Sequence, residues 1–350
     1  MKRRSIVIIK PSSMGDVLHA LPLLAVLRKN EPTSHIAWVV NRSFAELLEG
    51  HPYLDEVIVF EREAFDGRQR LLESSMDFVR FVRGMRDRRF DLALDLQGLF
   101  RSGLMTLGTG AGTRLGFAGA RELAGLGYND YVRVPNPEMH AVDRYLLFAR
   151  QLGLSTRGRA DFTLPPAPVD AAWAEGLVTG LRSERGPVVV MSPAARWTTK
   201  CWPAAHYAEL SDTLVRRRRA TVVFVGSAGD RATVRRIRHM TAERSMDLAG
   251  QTTLRRLAAL LARADLMVSN DTGPMHLAAA VGCPVLAFFG PTSPVRTGPY
   301  AGATRSVVLS SRTPCAPCYR KECHRRQCLQ DITPDRAQEE AGRLLEGAAV

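Results

Sequence analysis

The sequence predicts an α/β protein in two domains, each a parallel sheet covered by helices on both faces. Three observations predict it. Short apolar runs alternate with amphipathic segments in two successive series. The runs are nearly continuous in Val, Ile and Leu, as strands buried on both faces require. A Pro-rich break, Leu164-Pro165-Pro166-Ala167-Pro168, separates the two series.

In the first series Ser5–Lys10 reads as a strand and Asp16–Lys29 as a helix. Strands follow at His35–Val40, Val57–Phe60 and Asp91–Gln97, with helical segments between them. After the break come a helix, Asp170–Arg182, and Pro187. The second series has strands at Val188–Ser192, Thr221–Gly226, Met246–Ala249, Leu266–Ser269 and Val285–Phe289. Its helices are Ala204–Arg217, Asp230–Thr241, Leu254–Ala264 and Pro274–Val281. An amphipathic tail helix, Pro334–Leu345, is expected to pack back across the linker. Parallel sheets of this kind bind ligands at the carboxyl ends of their strands. The expected organisation is therefore two Rossmann-like domains with parallel sheets facing across a cleft.

A length of 350 residues and 45% apolar content suit two α/β domains with full cores. The formal net charge of +13 points to anionic partners: nucleotide, nucleic acid or a phosphorylated lipid surface. No apolar stretch approaches the roughly 18–20 residues that cross a bilayer. The basic start and short apolar run of Met1–Lys10 resemble a signal peptide, but the run is too short and no small-residue cleavage site follows. A cytoplasmic location is expected.

The most informative stretch is Val268-Ser269-Asn270-Asp271-Thr272-Gly273-Pro274-Met275-His276. A buried strand breaks at a small polar turn, and a helix opens at once with Pro274 near its first position. Backbone N–H groups and the positive end of the helix dipole then converge on one spot, which suits a diphosphate. His276 lies one turn after Thr272 and can face the same anion; a histidine bonded to a carbonyl is the plainer reading. The second domain opens with a similar loop, Ser192–Pro203, which carries Thr198, Thr199 and Lys200. Hydroxyls and one ammonium suit diphosphate oxygens.

The first strand ends in Lys10-Pro11-Ser12-Ser13-Met14-Gly15-Asp16. A carboxylate at the start of the first helix can cap it. At a strand's carboxyl end it can also act as a general base. The loop is not Gly-x-Gly-x-x-Gly, which counts against a dinucleotide oxidoreductase. The run Arg216–Arg219 reads as a solvated helix end, with no interleaved aromatics or nucleic-acid-binding signature beside it. Four cysteines are spaced Cys315-x2-Cys318-x4-Cys323-x4-Cys328, among Arg320, Lys321, Arg325 and Arg326. They could hold zinc or iron, or form a reduced basic loop; the spacing leaves both open.

Six segments together resemble the ADP-heptose:lipopolysaccharide heptosyltransferases, glycosyltransferase family nine, and most nearly its heptosyltransferase I branch. They are Lys10–Pro22, Asp95–Ser102, Ala120–Leu123, His140–Arg144, Lys200–Pro203 and Asn270–His276. The resemblance implies the GT-B architecture, with an acceptor-binding domain over residues 1–165 and a donor-binding domain over 166–350. It implies Asp16 as catalytic base. It places Thr198, Thr199, Lys200, Asp230, Asp271, Thr272, Gly273 and His276 on the nucleotide-sugar donor. Ser12, Ser13, Arg101, Arg121 and His140 fall to the acidic acceptor sugar. The Cys-rich C-terminus looks more like other branches of the family.

The implied activity is inverting transfer of heptose from ADP-L-glycero-D-manno-heptose to the Kdo-lipid A inner core of lipopolysaccharide. No cofactor is required, and the protein would sit at the cytoplasmic face of the inner membrane. Two alternatives stand beside it. One is a family-nine transferase acting on a different core sugar or a protein. The other is a non-enzymatic nucleic-acid-binding protein; basicity explains neither the Asp16 loop nor the donor turn, so no nucleic acid is expected.

Overall fold

The computed structural model describes residues 4–61, 71–182, 186–300, 302, 304–325 and 327–347. Arg326 lies outside them. The chain divides into two compact units, Met1–Pro166 and Ala167–Val350.

The first unit runs β1 (Ser5–Ile9), α1 (Met14–Asn30), β2 (His35–Asn41), α2 (Arg42–Ala45), β3 (Glu56–Phe60), α3 (Leu71–Asp87), β4 (Leu92–Asp95), α4 (Phe100–Gly108), β5 (Thr113–Phe117), β6 (Asp130–Val132) and α5 (Ala141–Gln151). Its strands form one sheet in the order β3-β2-β1-β4-β5-β6, and the pairings are parallel. Ile6, Val7, Ile8 and Ile9 of β1 are all inaccessible to water, as a central strand covered on both faces should be.

The second unit runs α6 (Pro168–Arg182), β7 (Val188–Ser192), α7 (Ala204–Arg218), β8 (Thr221–Phe224), α8 (Arg231–Met240), β9 (Met246–Asp247), α9 (Leu254–Leu261), β10 (Leu266–Asn270), α10 (Gly273–Ala280), β11 (Val285–Phe289), α11 (Pro294–Thr297), β12 (Ser306–Ser310), α12 (Gln327–Gln330) and α13 (Pro334–Glu346). The sheet order is β12-β11-β10-β7-β8-β9, again parallel. Read outward from the first strand of each unit, the two sheets share one topology. In both, the connections reverse direction beside that first strand, between β1 and β4 and between β7 and β10. This is where open α/β sheets form ligand crevices.

The sequence pattern placed the central strands and missed β5, β6 and β12. β5 carries Arg and Gly, β6 spans three residues and β12 holds only Val-Val-Leu between two serines, and pairing with an existing sheet makes them strands, not an intrinsic pattern. The predicted strand Asp91–Gln97 contracts to β4, because Asp95 Oδ1 accepts from the N–H groups of Gln97 (2.8 Å) and Gly98 (3.0 Å). That Asx turn closes the strand. The tail helix α13, expected to cross back over the linker, buries Ala337, Ala341 and Leu344 in the core of the second unit. The Arg216–Arg219 run is the end of α7, where Arg216 pairs with Asp212 and Glu243, and Arg218 with Glu346 of α13.

Gly116 of β5 faces the ring of Tyr128, and a Cβ there would stand 2.2 Å from Cε2. Tyr128 is buried and its hydroxyl is fixed by Asp95, so the ring has little room to yield. Gly116→Ala should cost about 1–3 kcal/mol in urea unfolding. Gly125→Ala, where a Cβ meets nothing within 4 Å, should cost less than about 0.5 kcal/mol. Equal stabilities for the two variants would contradict the packing described.

Candidate active site

In the first unit the site grows from the ends of β1 and β4. Asp95 closes β4 with no exposure to water. Its carboxylate accepts from Gln97 N, Gly98 N and the Tyr128 hydroxyl, the last at 2.7 Å. Burial pushes its pKa above the ordinary carboxylate value and the donors pull against that. Lys10, the residue after β1, is 3% exposed. Its ammonium reaches the Leu96 carbonyl at 3.4 Å and lies 5.5 Å from the centre of the Tyr145 ring. Burial lowers the Lys10 pKa, while Asp16 and Asp95 favour its charge.

Asp16 is the third residue of α1, and Ser13, not Asp16, is the N-cap. The carboxylate does two jobs. Oδ2 accepts from Ser13 N at 3.1 Å and Ser13 Oγ at 2.7 Å, which is the reciprocal half of a capping box. Oδ1 stands 3.9 Å from Lys10 Nζ and accepts from the Tyr145 hydroxyl at 3.3 Å. The side chain keeps 38% of its exposure, so a ligand can reach it. Burial raises the Asp16 pKa, but Lys10, Ser13 and His19 outweigh it and bring it down to about 2. Asp16 is therefore a charged, weakly basic carboxylate near neutral pH.

Of the residues expected on the acceptor side, Ser12, Ser13 and His140 stand nearest this cluster. Ser12 N donates to Gln97 Oε1 at 3.4 Å, and Ser13 is committed to Asp16. His140 caps α5 through Nδ1, and its ring meets the His19 ring edge-on at 5.2 Å. Arg121 N donates to the Gly98 carbonyl at 3.3 Å, which ties its loop to the one that Asp95 holds. Arg101 is exposed in the first turn of α4. Lys10, Asp95, Tyr128 and Tyr145 were missed as site residues. A charged residue ending an apolar strand was a usable signal for Lys10 and Asp95; nothing local marks the two tyrosines.

The second unit builds its site from the loops after β7 and β10. Asn270, fully buried, stitches them: Nδ2 donates to Pro193 O and Oδ1 accepts from Trp202 N, both at 2.9 Å. Trp202 stacks on Phe288 at 4.2 Å and donates from Nε1 to Ile332 O at 2.8 Å. Lys200 is thereby set against Asp271, Nζ to Oδ2 at 2.6 Å. Thr292 Oγ1 also donates to that oxygen at 2.7 Å, and His276 Nε2 lies 3.8 Å from Oδ1. Asp271 is 5% exposed.

This geometry refines the expected anion turn. Pro274 carries no N–H, and that of Met275 donates to Thr272 O. The backbone donors narrow to Thr272 and Gly273, at the N-cap and first residue of α10. Thr272 Oγ1 lies 3.2 Å from Ser269 Oγ. Asp271 engages Lys200, Thr292 and His276, so it orients cations more than it meets an anion. Thr199 is buried and its hydroxyl donates to Arg320 O at 2.8 Å, while Thr198 is exposed. Asp230, beyond β8, repeats the Asp16 arrangement: Oδ2 accepts from Ser227 N and Oγ, each at 2.7 Å.

Cys315, Cys318, Cys323 and Cys328 are free thiols. Burial and the three neighbouring cysteines push the Cys328 thiol up. Among the described residues no three His, Cys, Asp or Glu side chains are grouped to hold a metal ion.

Known proteins resemble this chain in sequence and fold. The chain is 32% identical over 340 residues to lipopolysaccharide heptosyltransferase 1 of Pseudomonas aeruginosa, covering 91% of this chain and 87% of that one. The solved structure of Escherichia coli ADP-heptose lipopolysaccharide heptosyltransferase II superposes with a TM-score of 0.78 at 28% identity, over 99% of this chain and 100% of that one. E. coli heptosyltransferase WaaC with ADP-2-deoxy-2-fluoro heptose gives 0.75 at 27% identity, over 97% and 99%. The two parallel six-stranded sheets match the GT-B-like fold of these enzymes. Residues 78–329 match glycosyltransferase family 9 (heptosyltransferase), and the chain belongs to that family.

Proposed function

We propose that the protein is an inverting glycosyltransferase that moves heptose from ADP-L-glycero-D-manno-heptose to the Kdo sugar of the lipid A inner core. The observation that carries this reading is the pair of polar constellations at the two sheet reversals, in a chain related over nearly its whole length to heptosyltransferases. One presents a solvent-accessible carboxylate, the other an ammonium on a strand-to-helix turn. The first unit takes the acceptor and the second the donor.

In this reading Lys200, Thr272, Gly273 and the exposed Thr198 meet the donor diphosphate. Lys200 stabilises charge on the departing ADP. Asp271 and His276 form the frame that aims the ammonium, and Asp230 offers its second carboxylate oxygen to the ribose. Arg101, Arg121, His140 and Ser12 supply donors for an acceptor carboxylate. Asp16 takes the proton of the attacking hydroxyl. A carboxylate this weakly basic accepts it late, once bond formation to the anomeric carbon has made the hydroxyl acidic. No cofactor has a part in these steps.

No described helix is long and apolar enough to cross a membrane. We place the protein in the cytoplasm, with its basic surface against the anionic inner leaflet where the lipid acceptor lies. A second reading, transfer to a different core sugar or to a protein, draws on the likeness to heptosyltransferase II and on the Cys-rich C-terminus. ADP release measured with a panel of truncated lipopolysaccharide cores separates the two. Turnover confined to a Kdo-terminated acceptor supports the first.

Asp16→Ala should lower kcat by about 10²–10⁴ and leave ADP affinity within about twofold. Near wild-type turnover with only a stability loss of about 0.5–2 kcal/mol would make Asp16 a helix cap alone. Because Lys10 and Ser13 hold the carboxyl at about 2, kcat/KM should show no acid limb from Asp16 between about pH 4 and 7. Lys10→Met removes the stabilising cation, so the Asp16 pKa rises and an acid limb should enter that window.

Lys200→Met should weaken ADP binding about ten- to a hundredfold by calorimetry. It should also lower the melting temperature, since it strands a buried Asp271. Lys200→Met/Asp271→Asn should recover the stability without the affinity. An unchanged ADP affinity in Lys200→Met removes Lys200 from the donor site.

A further inference from the structure

The Cys-rich segment has no part in the reaction described above, yet it is built onto the donor loops. Thr199 Oγ1 donates to Arg320 O at 2.8 Å and reaches Lys321 O at 3.4 Å. Tyr319 N donates to Pro291 O at 2.8 Å, one residue before the Thr292 that binds Asp271. Residues 319–321 are thus fastened both to the loop after β7 and to the loop after β11. Beyond them the segment is anchored by Leu329, in the core of the unit, and by Ile332 O, which accepts from Trp202.

This fastening brings a second ammonium to the indole ring that the first contacts. Lys200 Nζ lies 4.8 Å from the centre of the Trp197 ring, and Lys321 Nζ lies 5.5 Å from the same centre. Both cations contact the Trp197 indole, and each gains a cation–π contact. Their electrostatic situations differ. Lys200 is matched by Asp271 at 2.6 Å. Lys321 has no carboxylate within ion-pair distance among the described residues and is exposed. Of the two ammoniums at Trp197, one is matched by a carboxylate and the other is not, which leaves an excess positive charge there. The terminal phosphate of ADP, a monoester once the sugar has left, bears about 1.5–2 negative charges near pH 7, more than a single neutralised lysine can balance.

We propose that Lys321 binds the nucleotide in the donor site, its ammonium taking the terminal phosphate of a nucleoside diphosphate across the Trp197 indole that Lys200 also contacts. The Cys-rich segment is then a wall of the donor site, and its role is to carry Lys321 to Trp197. This inference rests on the donor site assigned above to the second unit.

The test compares ADP with AMP, which lacks the terminal phosphate. Calorimetry is run on the full-length wild type, Lys321→Met, Lys321→Arg, Arg325→Met and Lys200→Met. Arg325 is exposed on the same segment and reports the general effect of one lost charge. Lys321→Met should weaken ADP about five- to thirtyfold and AMP by less than about twofold. Lys321→Arg should recover most of the ADP affinity, and Arg325→Met should bind both as wild type. Wild-type ADP affinity in Lys321→Met, with Lys200→Met weakened, overturns the proposal and leaves the donor site standing. Equal losses for ADP and AMP, or equal losses in Lys321→Met and Arg325→Met, also overturn it. Unchanged ADP affinity in both lysine variants overturns the donor site itself. Melting temperatures within about 2 °C of wild type for the Lys321 variants confirm that the fold is intact.

Discussion

Each unit depends on the reversal of its parallel sheet. On one side of β1 and of β7 the connections run across one face, and on the other side across the opposite face. The loops leaving the two adjacent strands therefore part instead of covering each other, and a crevice opens between them. Both polar clusters stand there. The β1 and β4 exits bring Lys10, Asp16 and Asp95 together. The β7 and β10 exits bring together Lys200, Asp271 and the stitching Asn270. One topological rule, applied twice, creates two places where charge can be presented to a ligand without opening the core.

Charge in such a place has to be balanced. Asp95 is the deepest charge of the first unit, and its three donors offset the cost of burying it. It also faces Lys10 and so favours that ammonium in a dry setting. Lys10 in turn keeps Asp16 ionised. The Asp16 carboxylate is thus the outer end of a chain of groups that starts in the core. Rigidity follows from the same contacts. Asp95 fixes the turn at Gly98, Gly98 receives Arg121, and Tyr128 is locked between Gly116 and Asp95.

Much of this was legible in the sequence. The central strands announce themselves by apolar runs, and Asp16, Lys200 and Asp271 by polar residues placed where those runs end. Three kinds of feature were not. Edge strands such as β6 and β12 take their form from a neighbour. Tyr128 and Tyr145 reach Asp95 and Asp16 from 33 and 129 positions away, and no local pattern encodes such a meeting. Role assignments within a motif were also hidden. Thr199 reads as a phosphate ligand beside Lys200, yet its hydroxyl serves the Arg320 carbonyl. Asp16 reads as a first-position cap, whereas Ser13 takes that place and Asp16 answers it from two positions into the helix.

In the donor role proposed for Lys200, its ion pair with Asp271 bears on how a ligand leaves as well as how it arrives. The carboxylate is an internal competitor, already seated on the ammonium at 2.6 Å. An incoming anion displaces a partner and does not fill a vacancy, so it gains only the difference between two pairings. Occupancy then tracks how well the anion outmatches a tethered carboxylate, which disfavours singly charged intruders. When a reaction ends, the same tethered group stands within reach to reclaim the cation. In that role the tethered carboxylate weakens the hold on product by the strength of its own pairing with Lys200.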